Sequence, residues 1–366
     1  MKALRLLHGA DLHLDSPFES LPPEKAAQRR ERARELPFKL VELSQELGAQ
    51  AILLSGDVFD SSRVSTETQR DFCRALGAAS CPVIIAPGNH DPYYPGGVWD
   101  TMSLPENVYV FKNESIQSLR LPGLQARFWG AAFQDSFSQS LLDGFQAPEK
   151  TEDFDIMLLH GELCSGQSDY NPITAAQLES CGMDYVALGH IHKRSPLAFA
   201  GKTAYANPGC TEGRGYDELG EMGVYLVDLD ENAVRAQFVP VGGVRYEIRT
   251  ADISGDSPVD AVLKSIEGLP QGSYLRLILR GECESLPDIT RIRAALEGRL
   301  AELQLRDETT QKRELWETAG QDSLKGLFLQ GLKEKLKNAQ SPREAKVIEL
   351  AAAFGLEAME NGGAAL

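Results

Sequence analysis

Short apolar runs recur through the first 190 residues of the chain, and each is followed at once by a loop that carries glycine beside aspartate, asparagine or histidine. Runs of about four residues are too short for helices and are typical of strands buried on both faces. We therefore expect an α/β domain with strands at Leu4–Leu7, Ala51–Leu54, Val83–Ala86, Ile156–Leu159 and Tyr185–Leu188.

Helix-like stretches separate these strands at 24–47 and 65–79, and Pro37 should kink or split the first of them. Further strands are expected at 203–206, 223–229 and 236–241. The glycine pair at 242–243 is a natural end for this domain. The first domain is therefore predicted to span residues 1–243.

The remaining sequence predicts two further segments. Residues 244–310 have the pattern of a small α/β domain, with strands at 246–253, 274–281 and 303–308 and helices at 258–266 and 289–303. Residues 311–366 predict amphipathic helices, the second beginning at Ser341-Pro342. The apolar stripes of these helices are interpreted as core of the C-terminal region rather than as a docking surface: Leu324, Leu327, Phe328, Leu332 and Leu336 on the first, and Val347, Leu350 and Phe354 on the second.

All six histidines of the chain lie in or beside the five strand-end loops, HGADLH, SGDVFD, PGNHD, HGE and GHIH. Ligands of open α/β sheets bind beyond the carboxyl ends of the strands, so these loops should meet along one edge. A histidine distribution set only by packing or solubility would rarely give this coincidence. The loops therefore predict a functional site.

Histidine, carboxylate and amide oxygen form a ligand set that suits Mn²⁺, Fe²⁺ or Zn²⁺ better than Ca²⁺. Two cations about 3.5–4 Å apart need a carboxylate that bridges them, and Asp57 is the natural candidate. The six cysteines are scattered without a CxxC pair, which argues against both a zinc ribbon and a disulfide framework. We expect two divalent cations, most simply Mn²⁺.

Five segments, in chain order, resemble the calcineurin-like metallophosphoesterases. They are Asp11-Leu12-His13, Gly56-Asp57-Val58-Phe59-Asp60, Gly88-Asn89-His90-Asp91, His160-Gly161 and Gly189-His190-Ile191-His192. Any one of these segments is a weak signal, but five in order over about 180 residues are specific. The resemblance implies a β-sandwich flanked by helices, within the α/β class predicted above.

The resemblance also implies residue roles. Asp11, His13, Asp57 and His192 would bind one cation, and Asp57, Asn89, His160 and His190 the other. His90 would not be a ligand. It would lie over the scissile phosphate and assist the leaving oxygen while a hydroxide shared by the cations attacks phosphorus, and Asp60 would be the partner that orients it.

Two segments resemble the sequences of bacterial DNA-repair exonucleases of the SbcD type: LHGADLHLDSPF and SGDVFDSSR. Within the first segment, HLDSPF is most similar to the shorter, YhaO-like members of that group. That branch implies a capping domain after the catalytic one, DNA as substrate, a coiled-coil ATPase partner and a homodimer. The leading hypothesis is thus a Mn²⁺-activated DNA exonuclease in DNA repair. The resemblance covers residues 1–240 and extends to the remainder only in layout.

The net charge of −16 opposes this substrate, because DNA binding draws on basic surface. One basic stretch is a candidate DNA contact, but it alternates with glutamates and favours a solvated, ion-paired helix; its residues are Lys25, Arg29, Arg30, Arg32, Arg34 and Lys39. Two alternatives stay open. One is a small-molecule phosphodiesterase or phosphoprotein phosphatase, and the other an inactive scaffold that recruits an ATPase.

Several residues near the loops are expected to be structural. His8 is interpreted as strand packing or a contact behind the ligands, and Asp15 and Asp91 as turn or capping carboxylates. Asn207-Pro208-Gly209, with Arg214, is equally consistent with a plain turn and with a segment beside the site. The N-terminal apolar run is too short for a signal peptide or membrane span, so we expect a cytoplasmic protein.

Overall fold

The strands predicted from the apolar runs are present in the computed structural model, which describes residues 2–121, 123–255, 257–283, 286–311 and 316–360. Those five runs form β1 (Ala3–Gly9), β2 (Ala51–Leu54), β3 (Val83–Ile85), β7 (Phe154–His160) and β10 (Tyr185–Gly189). Nearly every residue in them is buried. The prediction of buried strands is confirmed.

The strands belong to two six-stranded sheets. The first has the order β14-β13-β1-β2-β3-β4 and the second the order β11-β12-β10-β7-β6-β5. β1, β2, β3 and β4 run parallel, as do β6, β7, β10 and β12. The strands not yet defined are β4 (Val108–Val110), β5 (Gln117–Arg120), β6 (Ala126–Gly130), β11 (Ser195–Ala200), β12 (Thr203–Asn207), β13 (Gly223–Asp230) and β14 (Val234–Pro240).

Alternate side chains of the two sheets face each other and form one buried core. Leu6 and Leu53 of the first sheet lie in the same cluster as Phe128, Ile156 and Tyr185 of the second. Each such side chain contributes roughly 1.5–3 kcal/mol when fully buried. The two sheets therefore form a β-sandwich.

Helices cover the outer faces of the sandwich. Leu36, Leu40 and Phe72 pack on the outside of the first sheet, and Leu178 on the outside of the second. The long helix-like stretch is split as Pro37 predicted, because Pro37 lies in the first turn of the second helix. The helices are α1 (Pro23–Ala33), α2 (Leu36–Glu46), α3 (Thr66–Gly77), α4 (Val98–Thr101) and α5 (Ala175–Ser180), with the short strands β8 (Glu162–Leu163) and β9 (Pro172–Ile173).

The chain divides into two compact units. The first comprises residues 1–248, 270–276 and 299–303, and the second residues 249–269, 277–298 and 304–366. Strands β15 (Tyr246–Asp252), β16 (Ser273–Arg280) and β18 (Leu300–Asp307) pair in that order, and the unit boundaries fall within them. The second unit contains α6 (Pro258–Ser265), β17 (Glu282–Cys283), α7 (Ile289–Leu296), β19 (Thr310–Gln311), α8 (Leu324–Lys337) and α9 (Pro342–Glu360).

Helix α7 is shorter than the sequence pattern predicts. The expected helix ran to Leu303, but α7 ends at Leu296. Gly298 follows with a left-handed φ of 73°, a conformation that ends helices at low cost to glycine. Residues 300–307 then form β18, so this part of the prediction was wrong.

The apolar stripe predicted on α9 was wrong, and that on α8 was right only in part. The residues buried between these helices are Leu329, Ala352 and Leu356, with Phe328 and Leu332 of the predicted stripe partly buried against them. Leu336 is half-buried. The other stripe members are exposed: Leu324 is 75% exposed, Leu327 61%, Val347 59%, Leu350 46% and Phe354 66%. A helical stripe predicts one face, but the choice between neighbouring faces depends on where the partner helix lies.

Most of the basic stretch between residues 25 and 39 is engaged in ion pairs with acidic residues of this chain, while Arg30 donates to the Pro17 carbonyl. Arg29 is 2% exposed and donates to Glu212 at 3.0 Å, and Lys25 pairs with Glu302. Arg34 contacts Glu67 and Asp71. The ion-paired interpretation is confirmed, except that Arg29 is buried rather than solvated. Among the described helices, none is both long and apolar enough to cross a membrane.

Candidate metal centre

The predicted loops converge because of the strand order. β1, β2 and β3 lie side by side, so Asp11, Asp57 and Asn89 all follow carboxyl ends of neighbouring parallel strands in the first sheet. β7 and β10 are neighbours in the second sheet and place His160 and His190 at the same edge of the sandwich. The five loops meet there, as expected for ligand sites in sheets of this kind.

The side chains form overlapping groups with metal-ligand spacing. Ligand atoms of Asp11, His13 and His192 lie within 4.8 Å of one another, as do those of Asp57, His160 and His190 and those of an intermediate group, His13, Asp57 and His90. Asp57 connects the groups, because its Oδ2 lies 3.2 Å from Nε2 of His160 and 3.7 Å from Nε2 of His13. One carboxylate oxygen therefore faces a histidine of each group.

The convergence of His13 and His192 shows that the first group fits a cation. Nδ1 of His192 lies 2.7 Å from the Glu218 carboxylate and Nδ1 of His13 lies 3.1 Å from that of Asp60. On the other side of each ring, the two Nε2 atoms face each other at 3.1 Å, a contact that requires a proton between them. A cation bound by both Nε2 atoms would take the place of that proton.

The second group shows the same pattern. His160 Nδ1 donates to the Ser55 carbonyl at 2.9 Å, which leaves Nε2 facing Oδ1 of Asn89 at 2.9 Å as well as Asp57. Nδ1 of His190 lies 3.2 Å from the same Asn89 oxygen. These converging acceptor atoms need a positive charge. The donor set of both groups thus fits a pair of divalent cations.

The pKa values of the buried groups also indicate that the centre requires a positive charge. Burial alone would lower the pKa of His160, but the Asp57 carboxylate and, less strongly, Asp11 raise it to about 9. Burial raises the pKa of Asp11 above its ordinary value. His190, desolvated and close to His160, has its pKa lowered to about 4. Without a cation, the centre holds a proton on His160.

His90 and Asp60 are adjacent, but not through the Asp60 carboxylate. His90 Nδ1 donates to the main-chain carbonyl of Asp60 at 2.9 Å, and the ring of His90 is exposed and meets that of His13 edge-on. The Asp60 carboxylate faces His13 and accepts from Arg214 at 2.7 Å. The carbonyl still orients the imidazole of His90 and leaves its Nε2 directed away from that contact.

Close packing of the loops explains two of their glycines. A Cβ at Gly88 would lie 2.2 Å from Oδ1 of Asp57, and one at Gly56 would lie 2.3 Å from Nδ1 of His160. Gly56 also has a φ of 86°. Any other residue at these positions would displace a candidate ligand.

Arg214 and Glu218 complete the centre, and the sequence did not single out Glu218. Glu218 accepts from Arg214 at 2.9 Å and holds His192, while Arg214 reaches Asp60. Burial opposes the charge of Glu218, yet its contacts with His192 and Arg214 lower its pKa to about 2. Both residues lie in the loop between β12 and β13, where sequence spacing does not indicate which side chains pair.

The turn at Asn207-Pro208-Gly209 is both a turn and a neighbour of the site. Asn207 Oδ1 accepts from the Gly209 N–H at 2.8 Å, and its Nδ2 donates to the carbonyl of Ile191, between His190 and His192. It therefore supports the loop that carries both histidines.

The residues expected to be structural are so. His8 is fully buried between Tyr185 and the Leu188 carbonyl. Asp15 accepts from Ser65 and Thr68 at the start of α3, and Asp91 accepts main-chain N–H groups of Val58, Phe59 and Gly88. These contacts confirm the interpretation of Asp15 and Asp91 as capping or turn carboxylates.

Comparison with known proteins adds independent findings. A family model described as calcineurin-like phosphoesterase matches residues 4–194. The uncharacterized metallophosphoesterase YhaO of Bacillus subtilis (strain 168) is 31% identical over 300 residues, covering 76% of this chain and 72% of that protein. The DNA double-strand break repair protein Mre11 of Methanopyrus kandleri is 22% identical over 354 residues, covering 90% of this chain and 76% of that protein.

Solved structures that match share little sequence. A dimetal phosphatase from Danio rerio matches 65% of this chain and 96% of its own, with a TM-score of 0.44 and 12% identity. The protein TT1561 of Thermus thermophilus matches 65% of this chain and 99% of its own, with a TM-score of 0.39 and 16% identity.

Proposed function

Because this chain belongs to the calcineurin-like phosphoesterase family, we propose that it is a two-metal phosphodiesterase that acts as a DNA exonuclease in DNA repair. Membership of the family makes it a metallophosphoesterase, and so a hydrolase. The observation that carries the proposal is the Asp57 oxygen that faces His13 on one side and His160 on the other.

We propose the following ligands. Asp11, His13, Asp57 and His192 would hold one cation, and Asp57, Asn89, His160 and His190 the other. The grouping of ligand atoms and the facing Nε2 atoms of His13 and His192 support this assignment. Bound divalent cations, Mn²⁺ by preference, would supply Lewis acidity toward the phosphate and a nucleophile from water at neutral pH.

His90 is proposed as the group that assists the leaving oxygen. Its Nδ1 is held by the Asp60 carbonyl, which keeps a proton on that nitrogen and leaves Nε2 free of this contact, in an exposed ring beside His13 and Asp57. In the imidazolium form, Nε2–H can donate a proton or hydrogen bond to the departing oxygen. Asp60 therefore acts on His90 through its main chain and on His13 through its carboxylate.

DNA is proposed as substrate on the strength of the relatives. The Methanopyrus kandleri protein is named for double-strand break repair, and it aligns with 90% of this chain. From the same branch we also propose a coiled-coil ATPase partner, a homodimer and a cytoplasmic location. The proposed domain division is 1–243 for catalysis, 244–310 for a capping domain and 311–366 for a C-terminal helical segment.

A second candidate is a phosphodiesterase or phosphatase for smaller substrates. The net charge of −16 favours it, and so do the ion pairs that occupy Lys25, Arg29 and Arg34, which leave little of the basic stretch for a DNA backbone. DNA contact would then have to come from the bound cations and from few cationic side chains.

The experiment compares substrates on one manganese-loaded preparation. End-labelled linear duplex and single-stranded DNA are incubated beside bis(p-nitrophenyl) phosphate, a cyclic nucleotide and a phosphopeptide, with His90→Asn as the matched control. The proposal expects nucleotide release from a DNA end, lost on chelation. Turnover of the small esters without any DNA cleavage would favour the second candidate. No turnover of any substrate by the metal-loaded protein would leave the scaffold hypothesis.

A further inference from the structure

Arg214 and Glu218 form a charged arc behind one histidine pair. Glu218 has a side chain that is 4% exposed, and its Oε1 lies 2.7 Å from His192 Nδ1 and 2.9 Å from Arg214 Nη2. Arg214 Nη1 donates to Asp60 at 2.7 Å, and Asp60 lies 3.1 Å from His13 Nδ1. The arc therefore begins at the far nitrogen of His13 and ends at the far nitrogen of His192.

Glu218 is held by two further contacts. Its Oε2 accepts the main-chain N–H of Arg214 at 2.7 Å and its Oε1 accepts from Nε of Arg214 at 3.3 Å, so the glutamate is bound to both the main chain and the guanidinium of the same residue. The guanidinium of Arg214 is planar, and it holds the carboxylates of Glu218 and Asp60 at a fixed separation. Because these carboxylates contact His192 and His13, their separation sets the distance between the two imidazoles.

The other histidine pair is supported differently. His160 Nδ1 donates to the neutral carbonyl of Ser55 at 2.9 Å, while the nearest Asp11 oxygen lies 3.9 Å away, and His190 uses its Nδ1 toward Asn89. A carboxylate behind an imidazole makes the imidazole a stronger donor to a cation than a carbonyl does, and it also fixes the ring. The two halves of the centre are therefore unequally supported.

We propose that Arg214 and Glu218 are positioning residues for the cation held by His13 and His192, and that they fix the ring orientation and the spacing of these two ligands. This inference rests on the proposed two-metal function. Neither residue touches the reacting atoms. Removing the charge of Glu218 weakens one cation of the pair and leaves the other nearly unchanged, because the arc contacts only one histidine pair.

The first variant is Glu218→Gln, which keeps the size of the side chain and an oxygen for His192 but removes the charge. Partners of this kind are worth about 10–100-fold in metal affinity, so we expect the dissociation constant of one Mn²⁺ to rise by about that factor. The readout is calorimetric titration of metal-free full-length protein with Mn²⁺, which resolves both ions without an activity assay.

The matched control is Glu212→Gln. Glu212 lies in the same loop, has a side chain that is 4% exposed and pairs with a buried arginine, Arg29, at 3.0 Å, but contacts none of the candidate ligands. It thus reproduces the loss of a buried carboxylate without touching the arc. We expect Glu212→Gln to lower the melting temperature while both Mn²⁺ affinities stay within about twofold of wild type.

An Asn89→Ala background assigns the affected ion. Asn89→Ala weakens the cation of His160 and His190, so the ion that remains tight is the one of His13 and His192. Adding Glu218→Gln to this background should raise the dissociation constant of that remaining ion. If Glu218→Gln alone does not fold, Arg214→Lys replaces it, because lysine keeps the charge but cannot hold two carboxylates. It should weaken the same ion, by a smaller factor.

Equal Mn²⁺ affinities in wild type and Glu218→Gln would overturn the inference, as would equal weakening by Glu212→Gln. So would a loss confined to the cation of His160 and His190. A wild-type protein that binds fewer than two Mn²⁺ ions at saturation would instead contradict the proposed function, so the two failures are distinguishable.

Discussion

Metal binding should release a proton from His160, and the structure gives the size of the effect. Asp57 and Asp11 raise the pKa of this buried imidazole to about 9, against the effect of burial. A proton with a pKa two units above pH 7 costs about 3 kcal/mol to remove, which lowers the apparent metal affinity roughly a hundredfold. Since Nε2 of His160 faces Asp57 and Asn89, a cation there must displace that proton.

The sign of the pH dependence follows from the raised pKa. The proton is held below pH 9 and lost above it, so the affinity for the cation of His160 should rise about tenfold per pH unit from pH 7 and level off near pH 9. In metal-free protein the same raised pKa stabilises the fold below the unfolded value of about 6.5. That stabilisation should disappear as pH rises through about 9.

The assay is calorimetric titration of metal-free protein with Mn²⁺ under argon, at one pH in two buffers of different ionisation enthalpy. The difference in heat counts the protons released. Wild type should release about one more proton at pH 7 than His160→Asn. Proton release that is the same in both proteins, or an affinity that does not change between pH 7 and 8.5, would show that no proton occupies the centre and refute the reasoning.

Four further substitutions test other parts of the structure. Asp57→Asn should lower the occupancy of both cations at once, measured by elemental analysis, whereas weakening of a single ion would show that Asp57 does not bridge. His90→Asn should keep both ions while turnover of bis(p-nitrophenyl) phosphate falls by about 10²–10⁴-fold, and loss of the ions in this variant would contradict its assigned role. Gly88→Ala should destabilise the protein by about 1–3 kcal/mol in urea unfolding, because its Cβ would lie 2.2 Å from an Asp57 oxygen; an unchanged midpoint would mean that the loop relaxes freely. Leu329→Ala should cost about 2–5 kcal/mol while Leu324→Ala stays within about 0.5 kcal/mol, since the first side chain is 0% and the second 75% exposed; comparable losses would show that the face of α8 defined by Leu329 is not its core.

The strands that carry the centre could be predicted because their uniformly apolar composition indicates that they are buried. A run such as Ile156–Leu159 has no polar residue to place outside, so it predicts a strand covered on both faces. The loop residues could be predicted because each follows such a run directly. These two local signals, taken together, bring the candidate ligands to one edge without knowledge of the sheet order.

Contacts between distant segments could not be predicted in the same way. Glu218 contacts His192, and Arg214 contacts Asp60, which lies 154 residues away in the sequence. The sequence around Glu218 and Arg214 does not indicate these partners. The face of α8 was missed for a related reason. Leucine at 324, 327 and 329 offers more than one apolar stripe, and the choice depends on Ala352 and Leu356 of α9.

The main chain of the candidate ligands also carries information that residue types do not. Asp11, His13, Asp57 and His190 have φ values of 51°, 45°, 48° and 88°, a region that costs a residue with a Cβ about 1–3 kcal/mol. The cost is offset within the protein, because the N–H groups of Asp11 and His13 donate to the carbonyls of Gly56 and Asp57 at 3.1 and 3.0 Å.

These hydrogen bonds continue the pairing of β1 and β2 beyond the ends of the strands, and His190 N–H extends the contact to the second sheet by donating to the Asp11 carboxylate. The left-handed conformations are therefore held by hydrogen bonds that extend from the sheets themselves. A centre held in this way presents its ligands already oriented, so cation binding need not bring the cost of ordering five separate loops. The remaining cost is electrostatic, and it resides in the protons that a cation must displace, one between Nε2 of His13 and Nε2 of His192 and one on His160.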